Sequence, residues 1–251
     1  MEKLIYAIVS VNSDPEKLNE LLSGMKGIAG SDIYAVPIHE ITAVVSDMKR
    51  ADLITDKSHA IEYASVIEIL TKQFTLIPMR FGSFLKSTGA ITKMLETNYY
   101  EFQQTLQKVE GKFEFGLKVF CDPEILKTEL RSKSEVLVQT AANPDPEIKN
   151  SVYREYINRK LKEHRLEELM LTYVDKVISD ITGTLVRLDA INKFNRMGTP
   201  TNIIDAYFLL KKEKKEELIQ MFGDMQNQYP ALNLILTGPW PPYNFVDITI
   251  N

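Results

Sequence analysis

The order of predicted elements makes this an α+β chain of two domains in tandem, each with the strand–helix–strand–strand–helix–strand order of a ferredoxin-like fold. Three observations predict it. Short runs of β-branched and aromatic residues alternate with stretches whose apolar residues fall at helical spacing. Clusters of Gly, Pro, Asn and Asp separate them. The same order starts again after Gly111, and 251 residues suit two modest domains. No repeat of sequence is visible, so only the order of elements recurs.

The first copy occupies residues 1–110. Lys3 to Val11 is the opening strand and ends at the turn cluster Asn12-Ser13-Asp14-Pro15. Asp14 is placed to cap a helix with Pro15 at its first position and Leu18, Leu21 and Leu22 on one face. Gly24, Gly27 and Gly30 stop that helix. Asp32 to Ile38 and Ile41 to Ser46 are strands joined at His39-Glu40. Ser58 is a candidate cap for a helix carrying Ile61, Ala64, Val66, Ile69 and Leu70. Thr75 to Met79 is a short apolar strand closed by Arg80-Phe81-Gly82, and one helix from about Thr88 to Val109 carries the chain onward.

The second copy occupies 111–251. Phe113, Phe115, Leu117 and Val119 alternate with Glu114, Gly116, Lys118 and Phe120, the pattern of a half-buried strand. A short helix, Glu124 to Lys133, follows Asp122-Pro123. Asn143-Pro144-Asp145-Pro146 is a linker, because neither proline suits a helix interior. A long helix, 148–181, comes next. Nine of the fifteen residues from Arg154 to Glu168 are charged, so this half is expected to project or to meet a partner. Leu166, Leu169, Met170, Tyr173, Val177 and Ile181 give the second half a packing stripe. Leu185 to Phe194 and Ile203 to Leu210 are strands around the loop Arg196–Pro200. A helix from Glu213 to Gln228, a strand from Leu232 to Thr237 and a final alternating strand from Phe245 to Ile250 complete the order.

Composition narrows the chemistry. Apolar residues are 44% and charged residues 25%, with a net charge of −4. That excludes a strongly basic nucleic-acid binder and an acidic disordered chain. Cys121, the single cysteine, excludes an internal disulfide and a cysteine-rich metal site, and points to a reducing cytoplasm. No run reaches the roughly 18 apolar residues of a membrane span. Leu4 to Val11 is too short to span, and it lacks the flanks of a signal peptide.

No catalytic constellation is announced. The three histidines, His39, His59 and His164, have no second His or Cys at metal-ligand spacing. G-x-S-x-G, G-x-G-x-x-G and G-x-x-x-x-G-K-[ST] are absent. No enzyme, cofactor or metal is therefore expected. Two segments stand out. In Ile77-Pro78-Met79-Arg80-Phe81-Gly82, Arg80 is the only charge between Lys72 and Lys86. Its guanidinium either satisfies carbonyls at a strand end or, with Phe81, faces a partner. Thr237-Gly238-Pro239-Trp240-Pro241-Pro242-Tyr243 holds the one tryptophan and three of the eleven prolines. It is either a stiff loop whose Trp packs on its own domain, or an aromatic–proline surface for another chain. The mixed arrangement expected has one edge of Trp240 inward and Pro241, Pro242 and Tyr243 outward.

These residues carry a resemblance. Gly238-Pro239-Trp240-Pro241-Pro242-Tyr243 with Phe245 resembles the C-terminal hallmark of the gas vesicle accessory proteins of the F/L type. His59, Val66-Ile67-Glu68 and Pro78-Met79-Arg80-Phe81-Gly82 match that family's N-terminal hallmark in order and spacing. Phe113 to Val119 resembles a third block, with Phe115 where the family often has Trp. Asp205-Ala206-Tyr207-Phe208-Leu209-Leu210 resembles a fourth. The resemblance implies two α+β domains, the second a modified ferredoxin-like fold with an extended helical lid. It implies a minor component or assembly factor of gas vesicles in the cytoplasm. The partners implied are the major shell protein and other accessory proteins, with no nucleic acid and no lipid membrane. The competing reading is a metabolite-sensing regulator, since tandem ferredoxin-like domains often regulate enzymes.

Overall fold

The computed structural model describes residues 1–11, 15–53, 57–138, 152–195 and 202–246. Nine strands and seven α-helices are assigned among them. The first strand, β1 (Glu2–Ser10), is buried along most of its length. It pairs antiparallel with β3 (Ile41–Met48) from Glu2 opposite Met48 to Ser10 opposite Ile41. On its other side it pairs with β4 (Leu76–Pro78) and β5 (Phe84–Leu85), and β2 (Ile33–Ile38) joins β3. The strand order is β2-β3-β1-β4, with β5 also on β1.

A central strand buried on both faces needs apolar residues at every position, which explains the unbroken run Leu4 to Val9. The β1–β3 register shifts between Ile5 and Ala7. Because side-chain direction has a period of two, the extra residue reverses which face the following positions occupy. Leu4, Tyr6, Ala7 and Val9 therefore share one core with Leu18 and Leu22 of α1 (Pro15–Ser23) and Val66, Ile67 and Leu70 of α2 (Lys57–Gln73). Ile5 and Ile8 face the other core. There they meet Ile91 and Leu95 of α3 (Thr88–Thr97) and Phe102 and Leu106 of α4 (Tyr99–Val109).

Two expectations about these helices change. The span 88–109 is two helices, not one, separated at Asn98. The Asn98 amide nitrogen Nδ2 donates to the Met94 carbonyl at 2.8 Å, a local bond that competes with continuation of the helix. Ser58 lies inside α2, which begins at Lys57, so it is not the cap. Ser87 caps α3 by accepting from the Ala90 N–H at 3.2 Å. The proposed cap Asp14 lies outside the described residues.

The second sheet has the order β7-β8-β6-β9. Its strands are β6 (Lys112–Cys121), β7 (Ile191–Asn195), β8 (Asn202–Lys211) and β9 (Leu232–Trp240). The helices are α5 (Pro123–Val138), α6 (Val152–Arg187) and α7 (Lys215–Gln228). β6 is interior and largely buried, not half-buried as its alternation suggested, and Glu114 is only 3% exposed. α6 continues to Arg187, so Leu185 and Val186 are helical and the following strand starts at Ile191. Leu185 extends the expected stripe of Val177 and Ile181 by one further turn, and Leu188, just past the helix end, is buried too. α5 is longer than expected. β9 also runs past Thr237 to Trp240. It is an edge strand in the described sheet, and edges tolerate prolines that a central ladder rejects. The linker 143–146, the loop 196–200 and residues 247–250 of the expected last strand lie outside the described residues.

By compactness the chain divides into two units. The first comprises Met1–Phe115, Leu209–Lys212 and Gly238–Asn251; the second comprises Gly116–Phe208 and Glu213–Thr237. In the second, Phe208 stacks on Phe222 with ring centroids 6.3 Å apart. Tyr229 donates to Asp180, and Tyr173 meets Tyr229 edge-on. Burial, with Glu129 and Cys121 nearby, pushes the Tyr173 phenol up to about 12.

Candidate functional site

The segment Ile77–Gly82 and residues Gly238–Tyr243 both fall in the first unit, and Tyr63 organises the first of them. Tyr63 projects from α2, where it is 3% exposed. Its hydroxyl lies 2.8 Å from the Ile5 carbonyl, 2.9 Å from that of Met79, 3.2 Å from that of Arg80 and 3.4 Å from that of Tyr6. One phenolic proton serves this group of acceptors, drawing α2, β1 and the turn after β4 together. Tyr6 stacks on Tyr63 at 5.0 Å, and Phe81 meets it edge-on at 5.3 Å. The hexapeptide from Ile77 to Gly82 thus closes over an aromatic cluster, and Phe81 is part of the packing.

Arg80 is different. Its carbonyl accepts from Tyr63 and, at 2.7 Å, from the Ser83 hydroxyl. Its guanidinium is exposed and makes no hydrogen bond or ion pair with the described residues. The carbonyl-satisfying role offered for that side chain is not the arrangement present; the backbone of Arg80 does the holding.

The second segment follows β6 in space. Gly238 adopts φ +115°, and a Cβ there would stand 2.8 Å from the Glu114 carbonyl oxygen. Gly238-Pro239 is a cis peptide. The buried Glu114 carboxylate accepts from the Asn244 backbone N–H at 2.7 Å and from its Nδ2 at 2.6 Å. Phe245 is 1% exposed, and its carbonyl accepts from Lys108 Nζ at 3.1 Å. A short 3₁₀ turn, Tyr243–Phe245, links these anchors.

Between the anchors the side chains sort differently from the expected arrangement. Pro241 and Pro242 are buried, whereas Trp240 is 50% and Tyr243 42% exposed. The prolines fill the base because they carry no N–H that burial would strand. Tyr243 is pushed up to about 12 by burial and by Glu114. In the first segment, burial, then the phenols of Tyr243 and Tyr6, push Tyr63 well above the ordinary tyrosine range. Arg80 is the exposed member of the first segment, and Trp240 and Tyr243 are the exposed members of the second. Glu114 and Asn244 escaped sequence reasoning, which put Glu114 on the solvent side of its strand.

The described residues hold no group of three or more His, Cys, Asp or Glu side chains placed for a metal ion. Burial pushes the Cys121 thiol up, the opposite of what a reactive cysteine needs. No described helix is long and apolar enough to cross a membrane.

The profile of the family described as "Gas vesicle synthesis protein GvpL/GvpF" matches residues 3–247. The chain belongs to the GvpL/GvpF family. It is 25% identical over 230 residues to gas vesicle protein F1 of Halobacterium salinarum, covering 90% of this chain and 87% of that one. It is 22% identical over 248 residues to gas vesicle protein L of a Streptomyces species, covering 95% and 85%. The crystal structure of gas vesicle protein GvpF from Anabaena shares its fold, with a TM-score of 0.76 at 20% identity over 99% of both chains. GvpL/GvpF membership makes it a gas vesicle accessory protein and places both the Tyr63–Arg80 cluster and the Gly238–Phe245 strap inside the matched span.

Tyr63→Phe tests the packing role of the first cluster. It removes the donor while keeping the ring, so stability should fall by about 1–3 kcal/mol, the usual cost of stranding a buried polar group. Chemical denaturation checks this; an unchanged midpoint would show that another donor reaches those carbonyls.

Proposed function

We propose that this GvpL/GvpF protein acts in gas vesicle formation by binding the major shell protein and limiting its aggregation while vesicles nucleate. The match to the GvpL/GvpF family over residues 3–247 carries the reading. The chemistry is consistent with it. A shell protein with an apolar face is an aggregation hazard before assembly, and a soluble chain with a fixed aromatic surface can cover such a face at low ordering cost. The proposed contact residues are Trp240 and Tyr243, raised on Gly238, Pro239, Pro241 and Pro242, with Arg80 and Phe81 of the other segment as further candidates. The chain works without turnover chemistry or cofactor, at gas vesicles within the cytoplasm, alongside other gas vesicle accessory proteins.

The proposal includes the finer fold. The orders β2-β3-β1-β4 and β7-β8-β6-β9 occupy the same places in two successive βαββαβ runs. That supports tandem ferredoxin-like domains in residues 1–110 and 111–251, with α6 as the helical extension of the second.

Co-expression with the shell protein tests the function: the soluble fraction of the shell protein should rise, and the two should co-purify. If both proteins are folded and neither occurs, the partner claim fails. Trp240→Ala then tests the surface. A half-exposed tryptophan adds little to the fold, so melting should change little, while shell-protein binding should weaken by roughly 2 kcal/mol or more. A large melting drop with binding intact would make the tryptophan architectural.

A further inference from the structure

The edges of the two sheets are not alike. Among the described strands, the edge strands β2, β4 and β7 carry Pro37, Pro78 and Lys193 respectively. Prolines and lysines are common means of keeping an edge from pairing with another chain. The segment Leu232-Asn233-Leu234-Ile235-Leu236-Thr237 of β9 has neither a proline nor a charge. Leu232 is buried, Leu234 and Leu236 are half-buried, and Ile235 is 41% exposed.

One side chain already sits on this edge. Gln226 of α7 donates from Nε2 to the Leu232 carbonyl at 2.7 Å and accepts the Leu234 N–H on Oε1 at 3.0 Å. Its amide occupies two groups that a neighbouring strand would use. The two bonds also fix which residues face outward. The N–H and C=O of a strand residue point to the same side, and the side alternates along the chain. Leu232, Leu234 and Leu236 therefore present their backbone groups outward. Asn233, Ile235 and Thr237 turn theirs towards β6, the only neighbour of β9 among the described strands.

The sequence of the edge decides what fits it. In either direction, residues 233–237 read polar, Leu, Ile, Leu, polar. An antiparallel copy of the same strand, centred on Ile235, sets Leu234 opposite Leu236, Asn233 opposite Thr237 and Ile235 opposite itself. Leu234 and Leu236, whose backbone groups face outward, then form the hydrogen-bonded pairs. Ile235 falls at a non-hydrogen-bonded pair, where opposing side chains come closest. Apolar meets apolar, polar meets polar, and no charge is repelled. We propose that β9 pairs with β9 of a second copy of this chain, antiparallel about Ile235. Gln226 swings off the edge as the strand arrives, and the Leu234 N–H it releases donates to Leu236 of the second copy.

One pair of strands buries less than a standard interface, so the association is weak. Sedimentation equilibrium of the full chain from about 10 µM to about 1 mM should show a monomer–dimer equilibrium. Salt should not weaken it, since no charges pair. Gln226→Ala removes the competing amide and should tighten the dimer about tenfold. Ile235→Lys sets two ammonium groups face to face on the axis. It should leave the chain monomeric over the whole range with melting unchanged, because the replaced side chain is exposed. Ile235→Cys reports the register, because a non-hydrogen-bonded pair lies within disulfide reach. Oxidation with copper phenanthroline should give a covalent dimer. Asn233→Cys, which faces Thr237 of the second copy, should give none. The native chain is the control for Cys121, which is buried.

A chain that stays monomeric up to about 1 mM, both in its native form and as Gln226→Ala, overturns the proposal. So does a dimer that survives Ile235→Lys, which would place the interface elsewhere. Equal cross-linking at 233 and 235 overturns the register and the proposal with it. If the chain is monomeric and Ile235→Lys loses the shell protein on co-purification, the edge takes a partner's strand and self-pairing is wrong.

Discussion

Gly238→Ala is expected to lower stability by about 3 kcal/mol. A left-handed φ costs a non-glycine residue roughly 1–3 kcal/mol, and Gly238 sits at +115°. The new Cβ would also stand 2.8 Å from the Glu114 carbonyl oxygen and 3.0 Å from Phe115 Cδ1. The first neighbour is backbone in an interior strand and cannot swing aside. For a chain of this size each kcal/mol moves the melting midpoint by about 2–4 °C, so a fall of roughly 10 °C should be seen in a thermal melt. A change of less than about 1 kcal/mol would show that β9 can slide away from β6 there at little cost.

The second large effect belongs to Glu114. Its carboxylate is buried and receives two N–H groups from Asn244. Glu114→Ala removes both acceptors, strands the Asn244 backbone N–H and opens a void, so a loss of about 3 kcal/mol or more is expected. Glu114→Gln keeps the volume but turns one acceptor into a donor facing another donor. Its loss should be smaller, about 1–3 kcal/mol. A double-mutant cycle with Asn244→Ala separates the pair from its surroundings, because contacting residues give non-additive changes. Additive losses in that cycle would show that the clamp is not what makes Glu114 matter.

Most elements of the first unit could be read from the chain, and the misreadings have physical causes. Leu4 to Val9 announces a strand buried on both faces because no polar residue interrupts it. The bulge between Ile5 and Ala7 leaves no such mark, since either parity is apolar there. The break at Asn98 rests on one local hydrogen bond, which an apolar periodicity running through both helices conceals. Glu114 was misplaced for a related reason. Alternation with Phe113 and Phe115 reads as a sheet with one wet face, and only the strand order makes β6 interior. The Gly238–Tyr243 segment announced itself by composition. Its prolines nevertheless face inward, and its strand runs to Trp240, because β9 is an edge.

The composition of the first unit also governs when it can form. Residues 1–115 leave the ribosome early, but Gly238–Phe245, which supply the donors to Glu114 and the buried ring of Phe245, belong to the same unit. At roughly 5–20 residues per second, the interval between the two is on the order of ten seconds. Throughout it, Glu114 has not yet met Asn244, and the site for Phe245 is unfilled. Those contacts of the amino-terminal half therefore form only once the carboxyl-terminal segment is made. A prematurely terminated product would carry an incomplete first unit, with the opened surface that cellular proteases recognise. Only chains that extend through Phe245 can complete the unit that began at Met1.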